Sequence, residues 1–158
     1  MAYSLRRYRE GDAEPLHALT LAAIAQIGPA AYSREQVAVW ASRHGSPGRI
    51  RERVANGHSI YVAADERGLP VAFALLEQDG HLDQLYCHPD HSRRELADQL
   101  LALAETEAGT RGIARLYTEA SELARPAFER CGYSITHRRD FEIDGVAIHN
   151  YAMEKRLG

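Results

Sequence analysis

The chain has 158 residues, 45% of them hydrophobic and 26% charged, and a formal net charge of −3. That is enough apolar material for a sizeable core, and too little positive charge for nucleic acid or an anionic membrane to be the main partner. Two cysteines make no disulfide framework, and neither a signal-peptide core nor a membrane-length apolar run is present, so the expectation is one cytoplasmic domain over residues 1–158.

In chain order, residues 3–8 alternate weakly and predict a short first strand. Glu10-Gly11-Asp12 is turn chemistry, and Asp12 is a candidate cap for a helix whose apolar face is Leu16, Leu19, Ala23 and Ile27. Gly28-Pro29 ends that helix. Ser33 opens a second one, with Gln36 in the capping-box position and Val37, Trp40 and Ala41 on one side. Gly45 to Gly48 interrupts the pattern, and residues 50–55 form a short basic turn or helix. Residues 59–64 and 70–76 read as two strands of a hairpin. Asp79-Gly80, a tight-turn dipeptide, feeds a third strand at 81–87.

That strand leads into the most informative stretch, LDQLYCHPDHSRRELADQLLALA, residues 82–104. Leu82, Gln84 and Tyr86 fall on one face by period two, with Asp83, Leu85 and Cys87 on the other. Pro89-Asp90 closes the strand. From Arg93 the apolar spacing becomes helical, through Leu96, Leu100 and Leu103 and through Leu101, Ala104 and Ala108. Strand, polar turn and helix in succession aim helix N–H groups at an anion, so the turn reads as a phosphate-facing loop. Ser92-x-x-Glu95 also reads as a capping box, which would occupy some of those donors and set a carboxylate where a diphosphate belongs. His88 and His91 share one turn without further spaced ligands, so no metal is expected. Residues 113–120 then form a strand parallel to 81–87 after a right-handed crossover. A helix over about 122–131 stops at Gly132, and residues 133–143 and 146–154 make a terminal hairpin around Asp144-Gly145.

The run LYCHPDHSRRELADQLL resembles the acyl-CoA-binding motif of the GCN5-related N-acetyltransferases (GNAT), Q/R-x-x-G-x-G/A at the start of a helix. Arg94, Leu96 and Ala97 fit; Ser92 and Glu95 replace the family's Gln/Arg and first Gly. ASELARPAFERCGY is similar to the family's second signature, with Ala124, Gly132 and Tyr133 matching, Ser121 in place of Asn and Phe128 in place of a phenol. The element order β-α-α-β-β-β-α-β-α-β-β matches the family's fold throughout. The resemblance implies an α/β (α+β) fold, with a mixed and mostly antiparallel sheet of about seven strands flanked by about four helices.

It further implies an N-acetyltransferase that moves acetyl from acetyl-CoA to a primary amine of a small molecule or peptide, as a possible homodimer. Leu85, Tyr86 and Cys87 would pair with the pantetheine arm. Ser92, Arg93, Arg94, Glu95, Leu96 and Ala97 would meet the diphosphate, with Ser121, Ala124 and Phe128 on the far side. His81 or Asp83 is the expected base, His81 titrating in the useful range untuned. Glu119 is a second acidic candidate, facing cleft or solvent. With Phe128 lacking a proton to give, the acid is Tyr133, Tyr117, Tyr151 or water. Tyr32 and Trp40 would wall the acceptor pocket, and the mildly acidic chain would suit a cationic amine. A non-catalytic acyl-CoA-binding module is the alternative that Ser92, Glu95 and Phe128 favour.

Overall fold

The computed structural model describes residues 2–92 and 94–158, so Arg93 lies outside the described residues. The elements are β1 (Ser4–Arg7), α1 (Ala13–Ile27), α2 (Arg34–Ser42), α3 (Pro47–Ala55), β2 (Ser59–Ala64), β3 (Pro70–Leu76), β4 (Leu82–Cys87), α4 (Leu96–Thr110), β5 (Arg115–Ala120), α5 (Arg125–Arg130), β6 (Ser134–Ile143) and β7 (Val146–Arg156). Short 3₁₀ turns at Gly28–Ala30 and Pro89–His91 complete them. The expected order holds, with α3 emerging as a full helix. Its start is set by Pro47 in the first turn, where a missing N–H costs nothing, so the Gly45–Gly48 interruption ends inside the next helix.

Strands β1-β2-β3-β4 form an antiparallel sheet, and β5-β7-β6 a second one. Every residue of β2 and β3 is buried, which explains their near-continuous apolar sequences. Alternate side chains face opposite layers. Tyr61, Ala63, Ala72 and Ala74 meet Leu96, Leu100, Leu101 and Ala104 of α4. Ile60, Val62, Phe73 and Leu75 meet Leu16, Leu19 and Ile50 of α1 and α3. The α4 layer continues through Leu116 of β5, Phe128 of α5 and Met153 of β7, so one core joins both sheets.

Two local expectations are met and one is not. Ser33 and Gln36 make both bonds of a capping box at α2. Asp144 and Gly145 take φ of 49° and 81°, the doubly left-handed pair of a type I′ hairpin turn. Asp12, by contrast, does not cap α1. It is buried, and its carboxylate receives the Arg6 guanidinium at 2.7 Å and the Arg9 N–H at 2.8 Å. A buried carboxylate is better satisfied by a guanidinium than by one amide.

Candidate active site

The predicted parallel pair of β4 and β5 survives as a single bridge, His81 to Tyr117. Tyr117 N–H donates to Gly80 O at 3.1 Å and Thr118 Oγ1 to Leu82 O at 2.7 Å. Beyond it the strands part: β4 pairs only with β3, and β5 only with β7. The β4 edge at Leu85, Tyr86 and Cys87 therefore faces a cleft with no strand partner. Gly80 makes the close approach possible. Its φ is 103°, and a Cβ there would stand 2.4 Å from Arg115 O.

The cleft has three compartments. An apolar groove of about 160 Å³ is lined by Leu85, Tyr86, Cys87, Ala97, Ser121 and Ala124, with Ile24 and Ile27 of α1. A recess of about 100 Å³ lies at the fork, bordered by Asp83, Thr118, Glu119, Ser121 and Phe128 and by Tyr32 and Trp40. A larger cavity of about 560 Å³ opens from it between α2, α3 and the terminal hairpin. Asp83, Glu119, Trp40 and Tyr86 border both recess and cavity, which marks the junction.

The turn into α4 corrects the capping-box reading. The helix begins at Leu96, and Ser92 Oγ donates to Pro89 O at 2.9 Å. Glu95 is itself the N-cap, at φ 61°, with no side-chain cap bond. Glu95 thus holds the left-handed backbone that a glycine would adopt without penalty, and among the described residues no side chain caps the first-turn N–H groups of α4. Arg94 and Glu95 are exposed, Ala97 borders the groove, and Leu96 is buried in the core.

His81 and Asp83 do not share a face with Leu85 and Cys87. Leu75 pairs with Gln84 but Leu76 with Leu82, which leaves Asp83 as the extra residue of a β-bulge. The bulge turns Asp83 toward α3, where Arg53 donates to it at 2.9 Å. Leu85 and Cys87 pack on the α4 side. His81 bridges two carboxylates, through Nδ1 to Glu77 at 2.6 Å and Nε2 to Glu119 at 2.8 Å, and stacks on Tyr117 at 4.7 Å. One ligating atom each of His81, Asp83 and Glu119 fall within 4.8 Å of one another. Burial pulls the His81 pKa down, but the hydrogen bonds to Glu119 and Glu77 outweigh it and push it up to about 9. His81 is therefore an imidazolium at neutral pH, and the expectation of an untuned base fails because of those two acids. Glu119 faces the cleft. Among the described residues only its Oε1 has a partner.

Around the junction, the Trp40 indole donates to the Tyr86 hydroxyl at 3.2 Å, and that hydroxyl lies 2.9 Å from His44 Nε2. Burial lowers the His44 pKa to about 4, so its ring is neutral and accepts from Tyr86. Tyr32 OH donates to His149 O and accepts from Glu122 N–H, which ties the start of α2 to β7 and to the β5–α5 turn. Glu122 also holds His149 Nε2 at 2.7 Å and Tyr151 OH at 2.9 Å. Bonds from His149, Tyr151 and Arg125 carry the Glu122 carboxyl down to about 2 against desolvation. The sequence reading missed Glu122, His149 and His44, which lie on separate segments and carry no local signal. Tyr133 is buried against Phe128, its hydroxyl without a partner among the described residues, and borders none of the three compartments. Tyr117 donates to Asp79 outside them.

A family model described as an acetyltransferase (GNAT) domain matches residues 29–155, and the chain belongs to the GNAT acetyltransferase family. It is 29% identical over 150 residues to the uncharacterized N-acetyltransferase YafP of Escherichia coli, covering 94% of this chain and 93% of that one. Among solved structures, it is 34% identical to a GCN5-related N-acetyltransferase of Rhodopseudomonas palustris called Aminotransferase, Class-II, at a TM-score of 0.90 over 99% of this chain and 97% of that one. The PaiA N-acetyltransferase of Thermoplasma acidophilum, solved with coenzyme A, shares the fold at a TM-score of 0.80 with 17% identity, over 99% of this chain and all of that one.

Proposed function

We propose that this N-acetyltransferase moves the acetyl group of acetyl-CoA to a primary amine of a small molecule or peptide, by direct attack within a ternary complex. The observation that carries the reading is the cleft where β4 and β5 part, with an unpaired strand edge on one side and an uncapped helix start at its mouth. The PaiA complex with coenzyme A on the same fold supports it. The residues fit the group: the β4 edge at Leu85 to Cys87 suits the amides of the pantetheine arm as an added strand. The first-turn N–H groups at Leu96 and Ala97 suit the diphosphate. Ser121, Ala124 and Phe128 form the far wall. Acetyl-CoA supplies the thioester, whose carbon accepts the amine and whose sulfur departs.

The chain's own part is proton handling and position. Glu119 Oε2, uncommitted and at the junction, takes the proton that the amine must lose, while the His81 imidazolium fixes Oε1. Asp83, held by Arg53, orients the amine from the other side. Ser121 accepts from Ala124 N–H and offers its own O–H as a hydrogen bond to the departing thiolate, which water then protonates; Thr118 and Tyr32 have already spent theirs on backbone carbonyls. Calorimetry with acetyl-CoA, joined to thiol release across an amine panel, tests this. We expect Glu119→Gln to lower kcat roughly 10²-fold while acetyl-CoA affinity holds. Binding without turnover on any amine would replace the enzyme with a binding module, and an unchanged kcat in Glu119→Gln would move the base elsewhere.

A further inference from the structure

The larger cavity has a charge pattern that the chain's net charge conceals. Four arginines line it: Arg43, Arg49, Arg53 and Arg139. Arg53 is spent on Glu77 and Asp83. Among the described residues the other three form no ion pair. Arg49 donates to Arg43 O and Arg139 to Asn150 Oδ1 while stacking on Phe141, both neutral partners. Of the three carboxylates on the cavity, Asp83 is paired with Arg53 and Glu119 with His81 at the fork, which leaves Glu52 as the one without an ion pair among the described residues; His44 is neutral, and His17 bonds the His44 carbonyl. Arg43, Arg49 and Arg139 border this cavity and not the recess, whereas Asp83 and Glu119 border both. Negative charge therefore collects at the fork and unpaired positive charge beyond it.

From this segregation we infer that the acceptor is an amine carrying a carboxylate or phosphate, its amino end at Asp83 and Glu119 and its anionic end at Arg43, Arg49 and Arg139. The inference rests on the transferase reading and adds the substrate class to it. A guanidinium presents paired donors that match a carboxylate or phosphate, and several around one cavity reject a second ammonium. A cavity of about 560 Å³ admits an amino acid or a short peptide. The acidic composition would have suggested a cationic acceptor; the local field has the opposite sign because the surplus carboxylates lie elsewhere.

Matched acceptors test it, with thiol release as readout: γ-aminobutyrate against putrescine, and O-phosphoethanolamine against ethanolamine. We expect kcat/KM for the anionic member to exceed its mate by roughly ten- to a hundredfold, the range of one or two charged hydrogen bonds. Added salt narrows the ratio. The double variant Arg43→Gln, Arg49→Gln brings it toward one, mainly through KM. Preference for putrescine, or a ratio that the double variant leaves intact, overturns the inference while leaving an active transferase. Failure of every amine to release thiol removes the transferase reading and this inference with it.

Discussion

At φ 61° Glu95 occupies backbone that costs a residue with a Cβ about 1–2 kcal/mol. Its carboxylate also stands where a diphosphate would approach. Glu95→Gly removes both penalties, so we expect stability to rise by about 1 kcal/mol and CoA to bind more tightly. Thermal melting and calorimetry read the two effects separately. An unchanged CoA affinity would mean that the anion does not sit at α4. Two histidines give the protein a pH signature. His44 stays neutral down to about pH 4, so the unfolded chain takes up a proton that the folded one refuses, and stability rises with pH up to about 6.5. His81 keeps its proton up to about pH 9, so its contribution is complete below about 6.5 and is lost on approach to 9. With its side chain 13% exposed, that contribution is at most roughly 3 kcal/mol. Urea titrations across pH should peak near 6.5, and His81→Gln should flatten the alkaline limb alone. A parent profile already flat above neutrality would contradict the Glu77–His81–Glu119 bridge.

The element that makes the site is the fork between β4 and β5, and Gly80 sets where it closes. Gly80→Ala forces a side chain against Arg115 O in a left-handed backbone. We expect a loss of about 2–3 kcal/mol and weaker acetyl-CoA binding, since the bridge at His81 and Tyr117 fixes the angle of the two edges. Retained affinity in a destabilised but folded variant would show that the cleft does not depend on this closure. The fork also marks where reading from sequence stops. Asp79-Gly80, the helical spacing after Leu96 and the Asp144-Gly145 turn are local signals, and each element appeared where they put it. The Asp83 bulge is not local. It arises in pairing with β3, and one extra residue sent Asp83 to the face opposite Leu85 and Cys87. The supposed Ser92–Glu95 box failed for a related reason: Ser92 and Glu95 fitted a pattern, but the helix begins after them, at Leu96. The groove residues Ala97, Ser121 and Ala124 were legible because a motif carries them. Glu122, His149 and the arginines of the larger cavity come from separate elements that only folding brings together.

At the scale of the molecule, two sheets share the layer of side chains around α4, from Tyr61 and Ala74 through Leu116 and Phe128 to Met153. Trp40 sits at the seam, against Tyr86 of the first sheet and, through Tyr32, against β7 of the second. We expect its fluorescence and the far-UV signal to change together in one urea transition, as a shared core requires; separate midpoints would divide the chain into two units. On the proposed reading function depends on the same seam, with the co-substrate lying where the sheets fail to pair. The most direct test is a crystal structure with coenzyme A bound. The account predicts the pantetheine arm against the free edge of Leu85 to Cys87 and the diphosphate at the N–H groups of Leu96 and Ala97. Coenzyme A bound anywhere else, or the fork left vacant at saturating concentration, would contradict it.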